Sequence, residues 1–321
     1  MKSSSQHALK SLSCFTAVTF YSTSHICGYE CFLHDRVVGF FYFLSLIAKP
    51  LFFIIIGYMD EERGMTKRYV LLKIKSVVLI VVFWNVLFFF MDSTLFKRGY
   101  LLQNEILLSI AIIYLFQPVI GRLLQSLSVT LIAACGLIVF AALLQRSASV
   151  QTYFYPLPLS GYFDVMLLVS FYLAGRMLGS AKGQRLTKMN TVALVARVGL
   201  VPAALLLIML ERYTTSFMGG DSAPWLVAEK MIITLLCLSL FIIFDNLTIQ
   251  RRFIINTVAF ISPTMVGVYI VHYSVFYLIS SAYDLNNVTL GFTLLLAVFM
   301  VSVILSRLLL LNKYTSQLIS L

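Results

Sequence analysis

Charge is what this sequence has least of. Asp, Glu, Lys and Arg make up 12% of its 321 residues, about half the share of a soluble domain, while 60% are hydrophobic and mean hydropathy is +0.93. So little polar surface cannot cover a water-soluble globule of this size. Disorder, collagen and coiled coil fall with it, because each needs charge, repeat or low apolar content that is missing. Acidic residues are scarcest, 13 against 24 Lys and Arg, for a formal charge of +11. Apolar runs separate the basic residues, so there is no continuous phosphate-binding stripe and nucleic acid is not an expected partner. The chain reads as one integral membrane domain over residues 1–321.

Cysteine is sparse as well, and five copies are an odd number. Cys14, Cys135 and Cys237 lie in apolar stretches, which gives no disulfide framework. Cys27 and Cys31 are four apart and allow a pair or half a metal site. No further ligand cluster joins them, so packing is the simpler role and no metal is expected. The first apolar segment lacks a pure apolar core with a small-residue cleavage site, and many spans follow it, so it is taken as a span and not a cleaved leader.

A membrane helix needs about 20 mostly apolar residues, because unsatisfied backbone groups are intolerable in hydrocarbon. Ten stretches qualify: Leu12–Glu30, Val37–Tyr58, Tyr69–Met91, Leu101–Gly121, Leu127–Leu144, Leu159–Gly179, Val192–Leu210, Leu226–Phe244, Phe253–Ala282 and Val288–Leu311. The expected fold is therefore an all-α, polytopic bundle of about ten transmembrane helices. With the N-terminus inside, 17 of the 24 basic residues fall on the inner side and six on the outer, so positive-inside bias puts both termini in the cytoplasm. The loop Thr152–Pro158 on the outer side is aromatic and proline-rich, which suits an interfacial belt or a sugar-contacting rim.

Ionisable side chains in hydrocarbon are expensive unless paired or facing a cavity, so each is a functional candidate. His25 ends the first span on a face that carries Cys14, eleven residues or about three turns earlier. That polar stripe either lines water and substrate or holds an interfacial histidine. His272 sits in Gly267-Val-Tyr-Ile-Val-His272, toward the outer half of the ninth span. Imidazole is the side chain suited to moving protons near neutral pH. After the second span come Lys67, Arg68, Lys73 and Lys75; Arg68 and Lys75, seven apart, share a helix face. This inner basic patch suits a phosphate-bearing ligand, although positive-inside bias alone also accounts for it. Lys49 and Asp164 are isolated charges without assigned partners.

Four motifs resemble the acyltransferase-three family, multi-span bacterial enzymes that acylate surface polysaccharides and related glycans. His25 matches the histidine closing the family's opening helix. Lys49-Pro-Leu-Phe-Phe-Ile-Ile-Ile-Gly57-Tyr58 is similar to its Pro-Leu-Phe-Phe-hydrophobic-Ser-Gly-Tyr; Ile113-Tyr-Leu-Phe-Gln-Pro118 looks like its Tyr-Leu-x-x-Pro; and Gly267-Val-Tyr269-Ile-Val-His272 resembles its late Gly-hydrophobic-Tyr-x-x-His. Departures are Cys14 where the family has arginine, with Lys10 one turn earlier as a substitute, Ile56 for the serine, and Glu105-Ile-Leu-Leu for Trp-Phe-Leu.

The resemblance implies an O-acyltransferase of the bacterial inner membrane. It would move an acyl group, in the first instance acetyl, from acyl-coenzyme A to a hydroxyl of a surface glycan such as O-antigen or a lipid-linked oligosaccharide. No permanently bound cofactor is implied; acyl-coenzyme A is the donor substrate, and membrane lipid and glycan are the partners. His25 would be the catalytic base or transient acyl carrier. His272 and Tyr269 would orient it or the acceptor, Tyr58 beside a bend at Gly57 would shape a tunnel wall, and Arg68, Lys73, Lys75 and Lys10 would hold the donor phosphates. The competing class is a glycan exporter or proton-coupled transporter, which also uses intramembrane imidazoles.

Overall fold

A computed structural model describes residues 4–19, 36–64, 66–91, 100–123, 126–147, 153–154, 157–217, 223–280 and 288–319. The described residues are overwhelmingly helical. In chain order the helices are α1 (residues 4–19), α2 (Arg36–Leu46), α3 (Ala48–Arg63), α4 (Lys67–Met91), α5 (Tyr100–Leu115), α6 (Gln117–Leu123), α7 (Leu127–Ser147) and α8 (Leu159–Gly179). They continue with α9 (Ala181–Thr187), α10 (Asn190–Phe217), α11 (Ala223–Asp245), α12 (Arg252–Ile261), α13 (Met265–Ser280), α14 (Val288–Leu311) and α15 (Lys313–Ser316). The proline-rich segment forms a small antiparallel pair, Tyr153 opposite Pro158 and Phe154 opposite Leu157.

Among the described residues, seven helices are long and apolar enough to cross a membrane, or eight if the bent pair α8–α9 is one span. Seven expected spans, the second, third, fifth and seventh to tenth, have their counterparts here, and α8–α9 is the counterpart of the sixth. The fourth is interrupted: α5 stops at Leu115 and α6 restarts at Gln117, with a turn at Phe116 between them. Pro118 explains the break, since it has no N–H to offer the Tyr114 carbonyl and its ring crowds that turn. Of the first expected span, only residues up to 19 are described.

Large apolar side chains face outward on these helices, as at Ile132 (69% exposed), Val195 (70%) and Met209 (70%), while Ser109, Ser170, Ser302 and Ser306 are fully buried. In water that distribution would be inverted. It is the pattern of helices solvated by lipid, which associate through small residues and interior hydrogen bonds. The chain is a multi-pass membrane protein.

Two compact units make up the chain: residues 1–52 with 244–321, and residues 53–243, the division falling inside α3. In the first unit Phe15 of α1 meets Phe41 of α2 and Phe299 of α14 edge-on at 6.4 and 5.4 Å. Pro263, in the 3-10 turn Ser262–Thr264 between α12 and α13, cannot donate to the Ala259 carbonyl. Arg307 of α14 repairs the gap: its Nη2 donates to Ala259 O at 3.1 Å and its Nε to Phe260 O at 2.7 Å.

In the second unit α3 and α8 touch backbone to backbone. A Cβ on Gly57 would stand 2.2 Å from Tyr172 O, and one on Gly175 would stand 2.1 Å from Ile54 O. Gly175 and Gly179 form a Gly-x-x-x-Gly pair, the spacing that lets membrane helices approach this closely. Gly57 was expected to bend the chain. It lies instead inside a continuous helix, and its function is contact. Replacing Gly175 with Ala should therefore destabilise the detergent-solubilised protein by at least about 2 kcal/mol, because backbone and not a flexible side chain must yield. Gly136→Ala, with open space around it, should leave the thermal midpoint nearly unchanged.

Candidate functional site

Each unit holds its own polar cluster. In the second, Asp60 of α3 is 2% exposed and collects three phenols from three other helices. Its Oδ1 accepts from Tyr69 of α4 at 2.9 Å, and its Oδ2 accepts from Tyr114 of α5 at 3.0 Å and Tyr172 of α8 at 3.1 Å. Three O–H donors converge on one side chain whose two oxygens offer about four acceptor sites. Lys73 is buried beside this hub, its Nζ 5.1 Å from the centre of the Tyr69 ring.

One residue along α3, Glu61 ion-pairs with Arg176 of α8, whose Nε donates to Glu61 Oε2 at 2.8 Å and whose Nη1 donates to Gln117 Oε1 at 3.1 Å. Tyr58 is buried and its ring meets Phe241 of α11 at 4.8 Å. Tyr58, Asp60 and Glu61 thus carry one end of α3 into the polar interior of the unit. Gly64, with φ of 73°, ends the helix immediately afterwards.

In the first unit Tyr269 is the organiser. It donates to Ala48 O at 2.6 Å, has Ser13 Oγ 3.3 Å away, stacks on Phe52 at 4.2 Å and faces the His272 ring edge-on at 6.3 Å. His272 is 5% exposed, with Nδ1 2.8 Å from Val268 O. That bond fixes the ring and leaves Nε2 as the nitrogen directed away from its own helix backbone. A second histidine lies in this unit: His7 of α1 bonds through Nδ1 to Ser262 Oγ in the 3-10 turn. One turn on, Ser11 Oγ donates to His7 O at 2.9 Å and to Val258 O at 3.2 Å.

The structure thus brings His272 and Tyr269 together in the first unit, with Lys10 on α1 of the same unit, and places Tyr58, Arg68, Lys73 and Lys75 in the second. Lys73 does not stand with Arg68 and Lys75. It points inward at the tyrosine–carboxylate hub while they are exposed, since residues two apart on a helix are about 200° apart. His25 lies outside the described residues, as do Cys27 and Cys31. Sequence reasoning missed Asp60, Tyr114, Tyr172, Arg176, His7 and Ser262. Tyr114 carried a signal as the tyrosine of the Tyr-Leu-x-x-Pro motif, and Tyr172 and Arg176 carried one as an aromatic hydroxyl and a cation four apart on one face of an apolar run; Asp60, His7 and Ser262 did not.

The sequence model of the acyltransferase-three family, described as an acyltransferase domain, matches residues 7–310. The chain belongs to that family and is a membrane protein with an acyltransferase domain. No curated protein and no solved structure matches it.

Two outcomes test the clusters. Tyr114→Phe and Tyr172→Phe should each cost about 1.5–3 kcal/mol of stability, the range for a buried hydrogen bond to a charged group, and the double variant should cost less than their sum because both act on Oδ2. Asp60→Asn should exceed either single change. At the start of α1, burial and then the nearby Lys10 charge push His7 below its ordinary 6.5. A depressed histidine contributes stability that is complete above 6.5 and is lost as pH falls through the lower folded value. Hydrogen exchange of residues 4–19, corrected for intrinsic rate, should accelerate on acidification in the wild type, and His7→Gln, which removes the titrating group, should flatten that dependence.

Proposed function

We propose that the protein is an O-acyltransferase of the bacterial inner membrane, with ten spans and both termini cytoplasmic. It takes an acyl group, acetyl in the first instance, from acyl-coenzyme A at the cytoplasmic face and delivers it to a hydroxyl of a surface glycan such as O-antigen or a lipid-linked oligosaccharide. Membership of the acyltransferase family over residues 7–310 carries the proposal. The motif match at His25 and the constrained Tyr269–His272 pair support it.

A sugar hydroxyl is a poor nucleophile until a base removes its proton. His25 serves as that base, or accepts the acyl group transiently and releases it to the alcohol. His272 and Tyr269 orient the reacting groups, a role that suits an imidazole held at Nδ1 and a tyrosine fixed by Ala48 O and Phe52. Arg68 and Lys75, exposed on α4, with Lys10, supply cations for the donor phosphates. Lys73 acts through the Asp60 hub and does not meet the donor directly.

Membranes given labelled acetyl-coenzyme A and purified glycan should transfer label. His25→Ala should abolish transfer, a loss of the order of 100-fold or more for a removed general base. His272→Ala should lower kcat with less effect on KM for the donor. Full transfer by the His25 variant would remove that residue from the chemistry. Glycan movement across the membrane without label would instead identify a transporter.

A further inference from the structure

The span that ends at Gly179 does not simply stop. Phe163–Gly179 and Ala181–Thr187 meet at 81°. Such a break is stable where the freed backbone groups find partners in the protein or line a polar cavity. Here they do both. Ser180 caps α9, its Oγ accepting from Gly183 N at 3.1 Å and donating to Met177 O at 2.7 Å. A cavity of about 180 Å³ opens beside the bend, walled by Glu61, Leu127, Thr130, Arg176, Ser180 and Lys182.

The cavity's donors are on Arg176 and Lys182, since the Thr130 and Ser180 hydroxyls donate to Ser126 O and Met177 O. Arg176 is 6% exposed, and its bonds to Glu61 and Gln117 occupy three of its five N–H groups. Among the described residues, two N–H groups remain without a partner in a buried guanidinium that lines the space. Lys182 stands exposed on the wall and makes no ion pair among the described residues. With Arg176 and Lys182 against Glu61, the walls carry a net charge of about one positive unit.

The shape is also fixed. A Cβ on Gly183 would come 2.0 Å from Met177 O, and one on Gly179 would come 2.8 Å from Tyr58 O. Backbone contact thus sets the bend beside which the cavity lies. Space of this size admits one phosphoryl group with some water, and not a nucleotide.

We infer that the α8–α9 bend is a binding site for a phosphoryl group, held by the Arg176 fork and the Lys182 ammonium. It is separate from the exposed Arg68–Lys75 face. Phosphate can reach it from two sources, a coenzyme A phosphate or the headgroup of an anionic lipid; the first rests on the donor proposed above, the second does not.

The test uses purified full-length protein in nanodiscs. One arm measures equilibrium binding of labelled coenzyme A in phosphatidylcholine discs. The other measures, by mass spectrometry, phosphatidylglycerol retained from mixed phosphatidylcholine–phosphatidylglycerol discs. Lys182→Glu, at an exposed position that should fold, is expected to weaken one of the two by about tenfold, and Lys182→Arg to preserve it. Weakened coenzyme A binding assigns the site to the donor, and lost phosphatidylglycerol assigns it to lipid; either result supports the site. If Lys182→Glu and Lys182→Gln change neither, the inference is overturned while the acyl-transfer proposal stands. If the wild type binds no coenzyme A, the donor assignment falls, and the phosphatidylglycerol arm still decides the site.

Discussion

A carboxylate inside an apolar bundle has to be solvated by the protein, because lipid will not do it. Taking an ionised carboxylate out of water costs several kcal/mol unless hydrogen bonds and charges within the protein replace its hydration. Asp60 meets it with hydroxyls from Tyr69, Tyr114 and Tyr172, each on a different helix. The dependence runs both ways. Four helices must be in register for the carboxylate to be satisfied, and a satisfied carboxylate fixes the ends of α3, α4, α5 and α8. Charge-assisted bonds of about 1.5–3 kcal/mol apiece are of the size needed to offset burial. The neighbouring Glu61–Arg176–Gln117 group obeys the same rule, with α6 supplying the third member.

The first unit solves a backbone version of the same problem. Pro263 removes a donor from a helix that otherwise runs 28 residues, Arg252–Ile279. Such a helix is about 42 Å long, more than a hydrocarbon core of about 30 Å, so part of it extends beyond the core. Arg307 covers the Ala259 and Phe260 carbonyls with its guanidinium and lays the same group over the Phe260 ring at 4.6 Å. Its sequence position suggested only a topological charge, one of many on the inner side. In the structure it is a helix repair, which shows how little the positive-inside count says about what an individual arginine does.

Hydropathy made the spans legible because it reports which surface faces lipid, and that surface dominates the composition. It could not report partners. His7 and Ser262 are 255 residues apart, and Asp60 and Tyr172 are 112 apart. Neither pair has a local spacing that would connect them. Length alone also passes over the turn at Phe116 in the fourth segment, which Pro118 imposes. The Gly57-Tyr58 motif was legible as a motif, but its physical meaning was not: without the Tyr172 carbonyl opposite, a glycine in an apolar run reads equally well as a hinge or as a contact.

The basic residues after α3 show why counting cations underdetermines an anion site. Arg68 and Lys75 differ by seven positions and share a face, whereas Lys73 lies about 200° from Lys75. The structure assigns the two sets to different environments, exposed for one and hub-facing for the other. A flexible surface lysine must be ordered when it meets phosphate, and that entropy, up to about 2 kcal/mol for a long side chain, counts against binding. Arg176 has already been ordered by folding, through Glu61 and Gln117. A buried fork with two uncommitted N–H groups on a backbone-fixed bend therefore has an advantage in preorganisation over an exposed pair of equal or greater charge, and that advantage grows as salt screens the surface.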